Sequence, residues 1–472
     1  MCRSPTRRSS ATVDARCRGP KLRLVAIFKA YDIRGIFPDE LDATAARRIG
    51  RATARFLGNG PIVVGRDTRT SSPELFGEIV RGVGDEGVDV IDLGLVATPM
   101  LYFAVDQLAG AGGIMITASH NPGRYNGFKI CRENAIPIGE ASGLKEIESI
   151  ANGLADDEAA ASQRGVVREV DVTEGYVEHA LAVGSGRPRL RVAIDGGNGM
   201  AAAGLVPLLG RLDLEVEALY LEPDCTFPNH EADPLKVENL RDVVDAVKRT
   251  GAAFGVAFDG DADRAVFIDD QGEPISSDLV TGLLAHYQLR KHGGGRVLYD
   301  LRSSRATAEE IESAGGEAEM CRVGHSFVKA RMREVGAIFA GELSGHFYFR
   351  FSPTLVADDG IAAFVALLDV LASEDKPLSE LVAPLRRYSA SGEINRRVEA
   401  IEPVLAAIEA EHADAPEILH LDGLYVRYDD WWFNLRPSNT EPVLRLNLEA
   451  GTQERMAKKR DALLERIGGE IP

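Results

Sequence analysis

The chain has 472 residues, of which 45% are hydrophobic and 27% are charged, and its formal net charge is −18. Because this length exceeds what one hydrophobic core supports, it predicts three or four domains of roughly 100–200 residues each. The negative charge opposes binding to nucleic acid or to an anionic membrane surface, and no apolar run in the sequence approaches the roughly 20 residues that span a bilayer, so we expect neither partner.

The cysteines and the basic N-terminal segment bear on the cellular compartment. Five cysteines are widely scattered, and their odd number and lack of CxxC spacing argue against a disulfide framework and a zinc site, which fits a reducing cytoplasm. Residues 1–24 are rich in Arg and Ser, as transit peptides are, but they contain no apolar signal core and no clear amphipathic periodicity. We therefore expect a disordered extension there rather than a targeting signal.

From Phe28 onward, short β-branched runs alternate with Ala- and Leu-rich helical stretches, a pattern typical of α/β domains. The pattern begins with PIVVGRD at 61–67 and restarts at 189–212 and at 295–316, which predicts three similar α/β domains. The last segment contains a Tyr/Trp-rich hairpin-like stretch and predicts a smaller α+β domain. Polar or small-residue lapses in the periodicity place the four domains at 25–166, 167–274, 275–386 and 387–472.

The segment GGIMITASHNPGRYNGFKI at 112–130 places a loop with Ser119 directly after an apolar strand. Loops at the carboxyl edge of α/β sheets commonly bind ligands, so Ser119, with His120 beside it, suits a phosphate site or a nucleophile. A simple turn around Asn121 and Pro122 explains the same residues as well. The absence of a G-x-S-x-G elbow argues against a Ser-His-Asp hydrolase.

A second loop, FDGDADR, places Asp259, Asp261 and Asp263 at alternate positions after an apolar strand. Carboxylates this dense suit Mg²⁺, which prefers oxygen ligands. An EF-hand is excluded by Arg264 and Asp270, which stand where that motif needs Gly and Glu. A solvated acidic turn is the remaining alternative, and the neighbouring Arg264 disfavours it because a cation there would instead contact a phosphoryl oxygen.

Two further loops carry polar side chains between apolar strands. Near the C-terminus, Arg436, Ser438, Asn439 and Thr440 combine a guanidinium, two hydroxyls and an amide, which suits a phosphate monoester, although Pro437 and Asn439 also fit a plain turn. The loop GELSGH offers Glu342, Ser344 and His346, which suit vicinal sugar hydroxyls, but a Gly-flanked hairpin turn with incidental polar residues explains it equally well.

Together these loops resemble the α-D-phosphohexomutase superfamily. The motifs that carry the resemblance, one per predicted domain and in this order, are TASHNP, DGDADR, GELSGH and RPSNTEP, within a match over residues 26–470. The third motif is most similar to the phosphomannomutase/phosphoglucomutase group. The resemblance implies four domains around a central cleft, three of them α/β domains with mixed sheets.

The resemblance also implies roles for individual residues. Ser119 would carry a phosphoryl group and, with Asp259, Asp261 and Asp263, would bind Mg²⁺. The implied catalytic set is Ser119, Lys129, His346, Arg264 and His120, with Lys129 and His346 sharing proton transfer. The implied substrate-binding residues are Tyr31, Arg34, Arg302, His325, Glu342, Ser344, Arg436, Ser438, Asn439 and Thr440. Arg302 stands where the group has a lysine.

The resulting prediction is a cytoplasmic phosphohexomutase, monomeric or homodimeric, that interconverts the 1- and 6-phosphates of mannose, glucose or both. Its hexose phosphate substrates would react through a phosphoserine and a hexose 1,6-bisphosphate, which also serves as activator. Three alternatives stay open: a phosphoglucosamine mutase, a sugar phosphatase with Asp259 as an aspartyl-phosphate nucleophile, and a non-catalytic sugar-phosphate sensor.

Overall fold

The computed structural model of the chain describes residues 27–58, 60–155, 158–438 and 443–471. The predicted extension at 1–24 lies outside these residues, as do the substrate-binding candidates Asn439 and Thr440. The described strands form four β-sheets. Among the described helices, none has the length and apolar character needed to cross a membrane.

The first domain is a six-stranded mixed sheet with helices on both faces. Its elements are β1 (Ile33–Ile36), α1 (Ala43–Leu57), β2 (Ile62–Arg66), α2 (Ser72–Asp85), β3 (Val90–Leu95), α3 (Thr98–Gln107), β4 (Gly112–Ile116), β5 (Tyr125–Arg132), α4 (Leu144–Gly153) and β6 (Val167–Glu169). The strand order is β1-β5-β4-β2-β3-β6. Strand residues alternate between faces, so Ile62 and Val64 pack under α1 and α2 while Val63 packs against α3.

The second domain repeats the arrangement with five strands in the order β11-β10-β9-β7-β8. Its elements are α5 (Thr173–Leu181), β7 (Leu190–Asp195), α6 (Ala201–Leu209), β8 (Leu214–Leu219), α7 (Arg241–Thr250), β9 (Phe254–Phe258), β10 (Ala265–Ile268) and β11 (Pro274–Ile275). The strands β8, β7 and β9 are parallel; β10 pairs antiparallel with β9, and β11 pairs antiparallel with β10 at the sheet edge.

The third domain has five strands in the order β13-β12-β14-β15-β16. Its elements are α8 (Ser277–His292), β12 (Arg296–Asp300), α9 (Arg305–Ser313), β13 (Glu317–Cys321), α10 (His325–Val335), β14 (Phe339–Gly341), β15 (Phe347–Arg350), β16 (Val356–Asp358), α11 (Gly360–Ser373) and α12 (Leu378–Val382). Three parallel strands are again extended by antiparallel pairing, here of β15 with β14 and of β16 with β15, so the prediction of three similar mixed-sheet domains is confirmed.

The C-terminal domain is an antiparallel sheet covered by two helices, which confirms the prediction of a smaller α+β domain. Its elements are β17 (Ser389–Ala390), β18 (Ile394–Arg397), α13 (Ile401–Glu411), β19 (Glu417–Leu419), β20 (Leu424–Arg427), β21 (Trp431–Pro437), β22 (Val443–Ala450) and α14 (Gln453–Ile467). It has its own core around Trp431 and Phe433.

Two predicted domain borders fall at edge strands that pair with the preceding domain's sheet. β6 lies beyond the border at 166 and pairs with β3 of the first sheet, and β11 spans the border at 274 while pairing with β10. In both places strand pairing continues past the polar stretch on which the border was based, because a solvent-exposed edge strand such as β6 needs no apolar pattern in the sequence.

The three α/β domains share one apolar core. One face of each sheet contributes to a single cluster of buried residues, and α11 lies within it, fully buried along most of its length. Phe364 of α11 packs against Phe254 of β9, with ring centroids 5.8 Å apart. This shared core fixes the three sheets relative to one another, and with them the loops at their strand ends.

We expect Phe364→Ala to lower the free energy of unfolding by about 3–5 kcal/mol, because it opens a cavity where the domains meet. Urea denaturation followed by far-UV circular dichroism measures the loss. Val206→Ala is the control, since Val206 is 50% exposed on α6. Equal midpoints for the two variants would contradict the shared core.

Candidate active site

Ser119 lies in the loop after β4 and adopts a left-handed backbone conformation, with φ +50°. A non-glycine residue in that region costs of order 1–3 kcal/mol, so the surroundings must hold it there. Its amide donates to Thr117 Oγ1 at 2.9 Å, and its Oγ donates to Asp259 Oδ2 at 2.8 Å. The Oγ is also 3.2 Å from His120 Nδ1. Burial and the charges of Arg264 and Arg34 lower the pKa of His120 well below its ordinary value.

The Ser119 loop is held by Arg69, a residue that the sequence analysis missed. Its side chain is almost completely buried and donates to the backbone carbonyls of four loop residues at 2.7–3.0 Å; these are Ser119, Asn121, Pro122 and Tyr125. Asp67 accepts from Arg69 Nε at 3.0 Å and orients the guanidinium. The only signal in the sequence is an Arg after the strand β2, and its targets are some fifty residues away along the chain.

Asp259, Asp261 and Asp263 converge in the loop between β9 and β10, as the alternation predicts. All three are buried, and one oxygen of Asp261 and one of Asp263 lack a hydrogen-bond partner. Burial and the charges of Asp263 and Asp261 raise the pKa of Asp259 well above its ordinary value. A divalent cation would relieve both the repulsion and the unpaired oxygens, so the residues fit a metal site.

The carboxylate loop touches the Ser119 loop through Gly260. A Cβ at this position would clash with the carbonyl oxygen of Ser119, so only glycine allows the two loops to approach this closely. This contact brings the first and second domains together at the site.

Two cations from different domains partly neutralise the carboxylates. Lys129 of β5 donates to Asp261 Oδ2 at 2.7 Å and also contacts Asp263 Oδ2. Burial opposes the charge on Lys129, but the two carboxylates outweigh it and raise its pKa. Arg264 Nε lies 3.9 Å from Asp259 Oδ2 and 4.0 Å from Asp263 Oδ1.

The third domain contributes the loop between β14 and β15. His346 Nε2 accepts from Arg264 Nε at 2.9 Å, which joins this loop to the carboxylates. Glu342 is buried, and it accepts from the amide of Gly324 at 2.7 Å and from the hydroxyl of Tyr348. Ser344 is half-buried in the same loop.

The first-domain candidates reach across to the third domain. Arg34 donates to Asn121 Oδ1 at 2.8 Å, beside the Ser119 loop. Tyr31 packs edge-on against His325, with ring centroids 6.0 Å apart, and His325 stacks on His346 at 6.1 Å. Burial and the charge of Asp422, in the fourth domain, raise the pKa of Tyr31.

The fourth-domain candidate Arg436 shares a carboxylate with Arg302 of the third domain. Glu393 Oε2 lies 3.4 Å from Arg436 Nη2 and 3.8 Å from Arg302 Nη1, and its other oxygen lies 3.1 Å from Arg445. Arg302 is held in addition by Asp300, 2.7 Å away. Ser438 follows β21, and its amide donates to the carbonyl of Val443 at 2.8 Å.

The described candidates thus form two groups. The first group surrounds one point and consists of Ser119, the three aspartates, Lys129, Arg264, His120 and His346. The second group is Arg302 and Arg436, which meet at Glu393. His325 and Tyr31 extend from the first group toward the fourth domain.

Comparison with known proteins identifies the family. Four family models match in order: the phosphoglucomutase/phosphomannomutase alpha/beta/alpha domains I, II and III at 25–157, 174–272 and 276–388, and the C-terminal domain at 393–466. The chain belongs to the phosphoglucomutase/phosphomannomutase family.

Relatives named phosphoglucomutase and relatives named phosphomannomutase have similar sequence identity to this chain. It is 40% identical to a phosphoglucomutase of Neisseria gonorrhoeae over 93% of this chain and 96% of the relative, and 39% identical to a phosphomannomutase of Escherichia coli over 90% and 94%. A crystal structure of a phosphoglucomutase/phosphomannomutase family protein from Burkholderia thailandensis superimposes with a TM-score of 0.85 at 35% identity, over 95% of this chain and 99% of that one. The chain is therefore an isomerase that acts as a hexose phosphate mutase.

We expect Arg69→Lys to reduce mutase kcat by about 10²-fold, because a lysine cannot donate to four carbonyls and a small displacement of a reacting group costs that much. Steady-state kinetics with glucose 1-phosphate measure the change. Arg81→Lys, on the exposed surface of α2, is the matched control and should leave kcat unchanged. Wild-type kcat in Arg69→Lys would show that the Ser119 loop does not depend on this guanidinium.

Proposed function

We propose that this enzyme interconverts hexose 1-phosphates and hexose 6-phosphates through a phosphorylated Ser119 and a hexose 1,6-bisphosphate. The observation that carries the proposal is the 2.8 Å contact between Ser119 Oγ and Asp259, within a cluster of three buried carboxylates. A serine in that position can carry a phosphoryl group whose charge a cation in the cluster would balance.

We assign Mg²⁺ to this cluster, with Asp259, Asp261, Asp263 and a phosphoryl oxygen on Ser119 as its ligands. When bound, Mg²⁺ would neutralise charge on the phosphoryl oxygens. Arg264, beside the same carboxylates, stabilises the charge that spreads over the transferring group. The neutral His120 keeps a weak polar contact with Ser119 without adding positive charge.

In the forward half-reaction, the bond between Ser119 Oγ and phosphorus breaks as a bond forms from phosphorus to the free hydroxyl oxygen of the sugar. The hydroxyl proton leaves to the enzyme: we assign His346 as its acceptor and the protonated Lys129 as the donor of a proton to the leaving sugar oxygen in the second half-reaction, so that the two residues share proton transfer. The second half-reaction reverses these steps at the other phosphate of the bisphosphate. Ser119 is rephosphorylated and no phosphate is lost.

The remaining candidates hold the sugar and the phosphate that is not transferred. Arg436 and Ser438, together with Asn439 and Thr440, form the proposed phosphate site, and Arg302 lies beside it. Glu342, Ser344, His325, Tyr31 and Arg34 form the proposed sugar site. The bisphosphate must turn over between the two half-reactions so that each phosphate occupies each site.

Mannose and glucose phosphates are the proposed substrates. The two sugars differ only at the 2-hydroxyl, and the relatives named for them are equally similar to this chain. The ratio of kcat/KM for mannose 1-phosphate to that for glucose 1-phosphate measures the preference, and a higher kcat/KM for glucosamine 1-phosphate than for either would favour a phosphoglucosamine mutase.

We also place the enzyme in the cytoplasm, since Cys131, Cys225 and Cys321 are free thiols.

A first experiment tests the phosphoserine. We expect wild-type enzyme incubated with ³²P-labelled glucose 1,6-bisphosphate to retain an acid-stable label, and Ser119→Ala to lose both the label and mutase kcat, by roughly 10⁴-fold or more. The label is measured after acid precipitation. A hydroxylamine-labile label that persists in Ser119→Ala would instead identify an aspartyl-phosphate enzyme, and wild-type binding without turnover would identify a sensor.

A second experiment tests the metal site. We expect enzyme treated with EDTA to bind Mg²⁺ in calorimetric titration and to regain turnover as Mg²⁺ is added, and Asp261→Asn to weaken Mg²⁺ binding by about 10–100-fold because one anionic ligand is lost. Asp245→Asn, on the exposed face of α7, serves as the control. Equal Mg²⁺ affinity in both variants would contradict the assignment of the metal site to the carboxylate cluster.

A further inference from the structure

A buried chain of charged and polar groups continues from Arg264 into the third domain. Beyond the contact of Arg264 with His346 Nε2, His346 Nδ1 lies 3.1 Å from Asp358 Oδ2. The other oxygen of Asp358 accepts from Lys329 Nζ at 2.7 Å. Asp358 and Lys329 are both completely buried, and neither belongs to the site described above.

Complete burial of a lysine and an aspartate costs free energy, because each loses its hydration. Lys329 extends from α10, and its ammonium lies 4.2 Å above the ring centre of Tyr102. Burial would raise the pKa of Asp358, but the positive charge of Lys329 opposes it, and the pKa lies well below its ordinary value. Asp358 is therefore an anionic acceptor that Lys329 fixes through one oxygen, leaving the second oxygen to face His346.

The contacts of His346 determine which ring nitrogen accepts a hydrogen bond and which faces an anion. The guanidinium of Arg264 is only a hydrogen-bond donor, so its partner His346 Nε2 must be the acceptor and carry a lone pair. The proton then resides on Nδ1, and Nδ1 faces the carboxylate of Asp358. The hydrogen bond from Arg264 selects this tautomer, and the anionic Asp358, 3.1 Å from Nδ1, favours a proton on that nitrogen.

The same atoms also admit a different interpretation, a second cation site. Asp263, His346 and Asp358 each offer a ligand atom within 4.8 Å of the other two. His346 Nδ1, Asp358 Oδ2 and Asp263 Oδ1 have no hydrogen-bond partner among the described residues. A cation there would need a lone pair on Nδ1, and the donor Arg264 on Nε2 takes that lone pair away. The ammonium of Lys329 on Asp358 opposes a cation further.

We propose that Lys329 and Asp358 are positioning residues that hold His346 in the Nδ1–H tautomer and thereby keep a lone pair at Nε2. That lone pair accepts from Arg264 Nε and orients the guanidinium beside Ser119. The inference rests on the proposed function for its kinetic consequence, while the tautomer is a property of the protein alone.

The test combines ¹⁵N NMR of the histidine side chains with kinetics on the full chain. In wild-type enzyme labelled with ¹⁵N-histidine, we expect the His346 signals, assigned by their loss in His346→Asn, to show protonated Nδ1 and unprotonated Nε2. In Asp358→Asn, the amide oxygen stays with Lys329 and the NH₂ faces Nδ1, so the proton should move to Nε2. Mutase kcat should fall by about 10²–10⁴-fold, with KM changed less than about threefold, because the phosphate contacts remain.

Two further variants separate positioning from stability. Asp359→Asn is the matched control: Asp359 is the adjacent buried carboxylate, and it bonds Tyr176 and caps α11 without contacting His346, so kcat and the tautomer should stay unchanged. The double variant Lys329→Met/Asp358→Leu replaces the ion pair by apolar groups of similar size, which buried pairs often tolerate. We expect it to keep the wild-type denaturation midpoint and to show the kcat loss of Asp358→Asn.

Several results would overturn the inference. Unprotonated Nδ1 in wild-type enzyme would do so, as would an Nδ1 signal that Zn²⁺ shifts at stoichiometric concentration, which would indicate the cation site. Wild-type kcat in the folded double variant would show that the pair only stabilises the fold. Absence of mutase turnover in wild-type enzyme would contradict the proposed function, whereas the tautomer comparison would still decide the inference.

Discussion

Negative charge buried without water is the constraint on which the site depends. Asp259, Asp261 and Asp263 lie at the end of β9 with almost no solvent contact, and their mutual repulsion must be offset by groups that the fold brings to them. Burial makes each counter-charge matter more than it would at the surface. The surrounding fold therefore places cations and hydrogen-bond donors around these three carboxylates.

Each α/β domain contributes a side chain from within a strand or beside a strand end of its sheet. The first supplies Lys129, the second supplies Arg264, and the third supplies His346, which links Arg264 to Asp358 and Lys329. The distances involved are those of direct contact, so the three sheets must keep fixed positions relative to one another. The shared apolar core provides this rigidity, and α11 within it begins directly after Asp359.

The sequence predicted what lies within a few residues of a strand end, and the structure added what meets across domains. The three-domain repeat and the smaller last domain follow from periodicity, and the clustering of three aspartates follows from their alternate spacing. Arg69 could not be predicted, because its partners are carbonyls of a loop far along the chain. Lys329 is similar: on a helix with other charged residues it resembles an exposed residue, and only the tertiary fold buries it against Asp358. The clash that excludes a side chain at Gly260 likewise depends on a loop from another domain.

Glu393 has a consequence for how the proposed phosphate site recognises its ligand. Its carboxylate lies among Arg302, Arg436 and Arg445, three cations that would repel one another without it. A phosphate that reaches Arg436 therefore meets guanidinium groups that already have an anion, and its binding is an exchange of one anion for another. In an exchange, the gross attraction between opposite charges largely cancels. What remains is the difference between a planar monoanion and a tetrahedral dianion, so shape and charge number, rather than charge sign alone, determine which ligand is retained.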